Sequence, residues 1–407
     1  MRPLLPPLLR VPAAFLLALA LLVGALASLQ GRTAQFWTPL SGVACERFVA
    51  YDRLEEPASV VVLGTSLTMR GISATLLADL ASRELGEPVE VFNLASPGTS
   101  IRMDRLVLRD LILQRGTPRL LLVEAGPPRF NRNNDFNEDF DRFYAMPEDL
   151  LAGILDGRNF DGCVTSFARG PAVWWQWWFL GPQTGRWPAR IRRTLETRGS
   201  WYGTWEGGFP SVEEERIELL RRTFQERREV VAFLGEENLR LRYGEEILRL
   251  LTTEEGDRLA RDDAALAALP TEVVQGLELL RLDAHISRIT GRRVAGYEID
   301  AFMRREWEDL LRLCEEHDIR VVAYDPPRSQ AYQARVEEPH PAITRAWQAY
   351  LREWTPQVDA FVPKDAIVPE LEGLYRDGDH LMAQGCLRYT TWLWENWLQD
   401  LLQDPGS

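Results

Sequence analysis

The feature that most constrains this chain is an alternation of short apolar runs with helically spaced stretches, present at both ends and split by a long charged region. Residues 58–63 are apolar and rich in valine, and the run ends at Gly64. A run of that kind without polar alternation suits a strand covered on both faces. Helical spacing over 72–85, a strand at 89–92, a helix over 103–114 and a third strand at 120–123 follow. The pattern resumes with a helix over 302–317, strands at 320–324 and 358–362, and a closing amphipathic helix over 381–402. Strands alternating with helices predict a parallel five-stranded sheet between two helical layers, a three-layer α/β/α fold.

Between 137 and 295 the strand signal stops, and long charged helices such as 213–234 and 237–251 take its place. This reads as a helical insertion dividing the α/β unit into 58–136 and 296–407. Near its start lies Trp174-Trp175-Gln176-Trp177-Trp178, part of a complement of 14 tryptophans. The insertion suits a lid, a membrane-facing surface or a partner-docking module, or else a subdomain whose aromatics fill their own core.

Residues 12–29 are mostly apolar and uncharged, about 18 residues, and Arg2 and Arg10 precede them. That approaches the ~20 residues a membrane-spanning helix needs, and the preceding positive charge predicts that the rest of the chain lies outside the cytoplasm. Ala25-Leu26-Ala27 equally fits a cleavage site, so residues 1–30 read as a signal anchor or a signal peptide, followed by a linker over 31–57. A net charge of −13 argues against nucleic acid as a partner. Cys45, Cys163, Cys314 and Cys386 are widely spaced. They fit one disulfide or four buried thiols equally, and no His, Cys or carboxylate group has metal-ligand spacing, so neither a metal nor a cofactor is expected.

Gly64-Thr65-Ser66 ends the first strand and a helix follows, which puts Ser66 at the carboxyl edge of the sheet, where open α/β folds bind ligands. A serine nucleophile needs a base, and the chain has only four histidines. His285 falls in the insertion. His317 precedes the fourth strand, at the wrong edge, and His340 stands between Pro339 and Pro341 without a nearby aspartate on a short loop. His380, in Asp377-Gly378-Asp379-His380, lies on the loop after the fifth strand. Asp377, three residues ahead, can fold back to hold the imidazole; the plainer alternative is that Asp377 or Asp379 caps the closing helix.

Ser66 in Gly-Thr-Ser-Leu, Asn93 and Gly98 in Asn-Leu-Ala-Ser-Pro-Gly, and Asp377 with His380 in Asp-X-X-His together resemble the ordered blocks of the SGNH, or GDSL, hydrolase superfamily. The resemblance covers roughly 58–134 and 296–402. It implies a flavodoxin-like sheet, Ser66 as nucleophile, His380 as general base and Asp377 as its orienter. It also implies an oxyanion hole formed by the amides of Ser66 and Gly98, with Asn93 supporting the turn. Two departures stand out. Thr65 replaces the family's aspartate, and Pro128, in Glu124-Ala125-Gly126-Pro127-Pro128-Arg129, occupies the position of an asparagine that completes the oxyanion hole. Asn131, Asn133, Asn134 or Arg129 could substitute, and Arg129 and the loop from Tyr324 to Arg328 could instead grip an anionic substrate. The expected activity is extracytoplasmic hydrolysis of an acyl ester, glycan-linked in some envelope members. The alternatives are O-acyl transfer to an envelope polysaccharide and a catalytically silent scaffold.

Overall fold

The computed structural model describes residues 42–132, 187–202, 209–294 and 296–403. Five strands, β1 (Val60–Leu63), β2 (Val91–Asn93), β3 (Leu120–Glu124), β4 (Arg320–Tyr324) and β5 (Ala360–Val362), form one sheet in the order β2-β1-β3-β4-β5. Every pairing is parallel. The order reverses between β1 and β3, and crevices for ligands form at such a switch point, outside the carboxyl ends of the strands.

The two faces of the sheet bury different side chains, which is why the strands read as unbroken apolar runs. Val61, Leu63, Leu121, Val123, Val321 and Ala323 enter one core layer. Val60, Val62, Leu120, Leu122, Val322 and Tyr324 enter the other. A slip of one residue would exchange the two sets, so the helices on both faces fix the register. Helices α1 (Gly42–Asp52), α4 (Ile101–Val107), α9 (Ala301–Glu316) and α10 (Pro341–Trp354) supply the first layer. Helices α3 (Ala74–Leu85) and α11 (Ala383–Leu393) supply the second. A short α2 (Ser66–Gly71) follows β1 and a short α5 (Pro127–Phe130) follows β3.

Several boundaries differ from the sequence expectation. The segment expected as a linker contains α1, because Phe48 and Tyr51, one turn apart, are buried and Tyr51 meets Phe92 edge to face at 5.4 Å between ring centroids. Helix α6 (Trp187–Glu196) packs against α1. The helix expected over 237–251 breaks in two at Gly244, whose φ of +90° is not helical. The helices starting at Ile101 and Ala383 each pass through a π-turn, at Leu108–Ile112 and Trp394–Leu398.

From Val212 to Arg293 the insertion is helical throughout its described residues. It opens with α7 (Val212–Gln225), continues through five short helices and closes with α8 (Thr271–Arg293). These helices share a core of their own that includes Leu220, Phe224, Leu239, Ile247, Leu251 and Leu280. The N-terminal apolar stretch and the tryptophan cluster at 174–178 lie outside the described residues, as do Asn133 and Asn134. Among the described residues no helix is long and apolar enough to cross a membrane. Cys314 and Cys386 are free, buried thiols, each pushed by burial to about 12.

Candidate active site

The turn after β1 is held from beneath by one carboxylate. Glu124, the last residue of β3, is buried and accepts from the Thr65 amide at 2.7 Å, from the Thr65 hydroxyl at 2.8 Å and from the Thr68 hydroxyl at 2.6 Å. Tyr324 donates to the Thr68 hydroxyl at 2.6 Å, closing the network. Such packing leaves no room for a side chain at position 64. A Cβ on Gly64 would stand 2.4 Å from the Thr68 hydroxyl and 2.7 Å from Cβ of Glu124, and φ there is +152°. Thr65 caps α2 through its hydroxyl, so the backbone leaves the strand sharply and Ser66 opens the helix.

The strip after β2 runs alongside. Asn93 donates to the carbonyls of Thr68 and Ile72 at 3.4 and 3.0 Å and accepts from the Ala95 amide at 3.0 Å, the supporting role the sequence implied. Ser96 and Thr99 both donate to the Gly64 carbonyl, at 2.9 and 2.6 Å. That ties the turn carrying Gly98, at φ +71°, to the turn carrying Ser66.

Across the carboxyl edge, residues 375–381 form a closed loop with a bridge between Tyr375 and Leu381 and a hydrogen bond from Arg376 N to the His380 carbonyl at 2.9 Å. His380 Nε2 lies 2.8 Å from Oγ of Ser66. Its Nδ1 lies 2.9 and 3.1 Å from the two carboxylate oxygens of Asp377. Asp377 also accepts from the His380 amide at 3.0 Å, so it fixes both the ring and the backbone of the base. Neither aspartate caps the following helix: the capping position of α11 is Met382, with no side-chain cap. Of the other histidines, His317 ends α9 and His340 precedes α10, and neither joins this chain.

His285 joins the group although its position in the insertion gave no hint of it. It projects from α8, and its Nε2 lies 2.8 Å from Oδ1 of Asp379. The same Asp379 oxygen lies 2.9 Å from Nδ1 of His380. The insertion reaches the loop at three further points. Tyr202 places its hydroxyl 2.8 Å from Glu215 of α7 and 3.1 Å from the Leu381 carbonyl. Glu215 accepts from the Ala383 amide and stands 3.8 Å from Arg376. Leu282 of α8 packs on Gly378, where a Cβ would lie 2.6 Å from its Cδ1.

Burial works against charge on His380, but the carboxylates of Asp377 and Asp379 outweigh it and raise the imidazole to about 9. Burial likewise opposes charge on Asp377, and the facing imidazole prevails, holding this carboxyl below its usual range. Arg70, Arg281 and Arg376 lie close enough to act on one another or on Asp377. Arg328 lies close enough to feel Asp379. A cavity of about 210 Å³ reaches His285 and Asp377 between Arg222, Arg281 and Arg288.

The remaining predicted residues make contacts outside the Ser66–His380–Asp377 chain. Arg129 is buried, paired with Asp104 at 2.7 Å and bonded to the carbonyls of Glu124 and Thr99 at 2.7 and 3.4 Å, so it braces β3 against α4. Asn131 is buried and accepts from the Glu298 amide at 3.4 Å, bridging to the chain that enters α9. Pro128 lines a cavity of about 520 Å³ beside Asp325, Trp347, Phe361 and Lys364, none of which belongs to the Ser66–His380–Asp377 chain. Arg328 is committed to a buried pair with Asp325 at 2.8 Å.

His285, Asp377, Asp379 and His380 each offer an atom within 4.8 Å of the others, a grouping that spacing in the sequence did not predict and that one cation could bridge. Binding an ion at Nδ1 of His380 would leave Nε2 protonated and unable to accept from Ser66. Three arginines, Arg70 and Arg281 beside Asp377 and Arg328 beside Asp379, already act on the two carboxylates, so a hydrogen-bonded chain suits this field better than a further cation. Chemically, the chain offers an acceptor for a serine proton and a carboxylate to hold the acceptor in the right tautomer. Comparison with protein-family models and with curated proteins found no match to this chain.

Proposed function

We propose that this protein is a serine acyl hydrolase of the SGNH type that works through an acyl-Ser66 intermediate. The observation that carries the reading is the unbroken chain from Ser66 Oγ to His380 Nε2 at 2.8 Å and from His380 Nδ1 to Asp377 at 2.9 Å. It is supported by the position of that chain, at the carboxyl edge of the sheet and beside the strand-order reversal. His380 takes the Ser66 proton as Oγ attacks an ester carbonyl, and the amides of Ser66 and Gly98 face the oxyanion. The same proton then passes to the departing alkoxide, leaving the acyl group on Ser66. Water, deprotonated by His380, attacks the acyl carbonyl; the carboxylic acid leaves and Ser66 regains its proton. Pro128 contributes no side-chain donor, and one missing oxyanion donor lowers such rates by ~10²- to 10³-fold, so the enzyme is expected to favour activated esters.

The apolar stretch at 12–29 behind Arg2 and Arg10 supports a membrane-tethered enzyme with the α/β unit on the extracytoplasmic side. Incubation with an activated ester followed by mass spectrometry tests the chemistry. An acyl adduct on the peptide containing Ser66, lost in His380→Ala, is the expected result. Absence of both adduct and ester cleavage in the folded protein would leave a binding scaffold as the better reading.

A further inference from the structure

Two carboxylates compete for the single Nδ1 proton of His380: Asp377 Oδ1 and Asp379 Oδ1 both lie 2.9 Å from that nitrogen. One carboxylate is enough to orient an imidazole, so the second needs its own account. The Asp379 side chain is 0% exposed, and a buried carboxylate without donors is costly. His285 is one donor to it, with Nε2 at 2.8 Å from the same oxygen and the two imidazole rings crossing nearly edge to face at 5.9 Å. The arrangement holds one aspartate oxygen between two imidazoles from different parts of the chain.

We propose that His285 and Asp379 form a second imidazole–carboxylate pair behind His380 that sets its basicity, so that the helical insertion completes the site. This rests on reading Ser66, His380 and Asp377 as the reacting chain. The loop is shaped for the pair: Gly378, between the two aspartates, takes φ +97° and lies under Leu282 of α8, one turn before His285. His285 is also the member open to exchange, since it lines the cavity of about 210 Å³ and its side chain keeps 19% exposure while Asp379 has none. With His285 neutral, Asp379 adds its negative charge to that of Asp377 and favours the imidazolium form of His380. The hydrogen bond from His285 offsets part of that charge and so moderates the pull of Asp379 on the His380 proton. Ser66 from α2, Asp377 and Asp379 on its own loop and His285 from α8 face His380; around them Arg70 from α2 and Arg281 from α8 act on Asp377, Arg328 after β4 acts on Asp379, and Arg376 pairs with Glu215 of α7. Among them Asp379 is the one whose charge His285 touches directly.

The test uses the full-length protein labelled with nitrogen-15 at histidine, whose four imidazoles are assigned by single His→Gln substitutions and titrated by NMR. Asp379→Asn should lower the His380 midpoint by about one pH unit or more. His285→Leu, which removes the donor and leaves the Asp379 charge uncompensated beside His380, should move it the opposite way, upward, and His285→Gln, which keeps a donor, should hold it within about 0.3 unit of the parent. The double variant Asp379→Asn with His285→Leu should go no further than Asp379→Asn alone, as expected for residues acting through one another. A His380 midpoint unmoved by Asp379→Asn, or moved by it and not by His285→Leu, would overturn the pair. If His285→Leu loses its cooperative melt, Asp379→Asn and His285→Gln still decide, because a parental midpoint in the first or a displaced one in the second contradicts the proposal. The readout needs no turnover, so the two readings fail separately: an unreactive Ser66 with a midpoint that falls in Asp379→Asn sinks the serine reading and supports the pair.

Discussion

The two halves of the candidate site are held in different ways. The Ser66 turn is anchored chiefly within the α/β unit, by Glu124 beneath Thr65 and Thr68 and by Asn93 and Thr99 alongside, while the helix it opens also meets the insertion where Trp201 N donates to the Met69 carbonyl and Arg70 to the Tyr202 hydroxyl. The His380 loop leans outward on the insertion through His285, Glu215, Tyr202 and Leu282. A nucleophile that must emerge from a strand at one angle gains from a rigid, fully partnered core. A base whose proton affinity must be tuned gains from a neighbour on a separate element. The insertion has its own apolar core and yet contacts the loop that carries His380.

Substitutions that strike one half and spare the other can break this comparison. The largest effect is expected from Asp377→Asn, which puts the imidazole in the wrong tautomer without disturbing the Ser66 turn. Acylation by an activated ester, followed by stopped flow, should slow by ~10³- to 10⁴-fold. Gly64→Ala should do the reverse. Its Cβ has no space between Thr68 and Glu124, and destabilisation of about 3 kcal/mol or more is expected in urea unfolding.

The pH dependence comes next in size. His380, at about 9, must be neutral to act as base, so acylation should rise by roughly tenfold per pH unit up to about 9 and then level. A plateau already reached near pH 7 would contradict the elevated value. The stability linkage has the opposite sense. A folded-state value raised from 6.5 contributes stability fully present below about 6.5 and lost as pH rises through about 9. The smallest effect tests the seam: Tyr202→Phe removes the hydroxyl beside Glu215 and the Leu381 carbonyl, and should cost about 1 kcal/mol. A comparable loss in acylation rate would sharpen the claim that the insertion steadies the base loop; unchanged stability and rate would weaken it.

What could be read from sequence follows from range. β4 matches its expected bounds, Ser66 was legible because it follows the end of a strand, and Asp377 and His380 because the aspartate lies three residues before its histidine on the loop ahead of the closing helix. Glu124 was not legible as the support of the Ser66 turn, since its partners are up to 59 residues away and a glutamate closing a buried strand carries no periodic signal. Asp379 and His285 meet across 94 residues and two structural units. The second aspartate in Asp377-Gly378-Asp379-His380 was the visible hint, but a helix cap explained it equally well before the cap position proved to be Met382. Arg129 went the other way, since a charge at the end of a strand suggests a ligand and this one turns inward to Asp104.

The central claim is that Ser66 is an activated nucleophile. Reaction of the full-length protein with a fluorophosphonate probe, compared across the parent, Ser66→Ala and His380→Ala, tests it most directly. The account predicts labelling of the parent, none in Ser66→Ala and a sharp fall in His380→Ala. A folded parent that takes no label, or one labelled equally after Ser66→Ala, would contradict it.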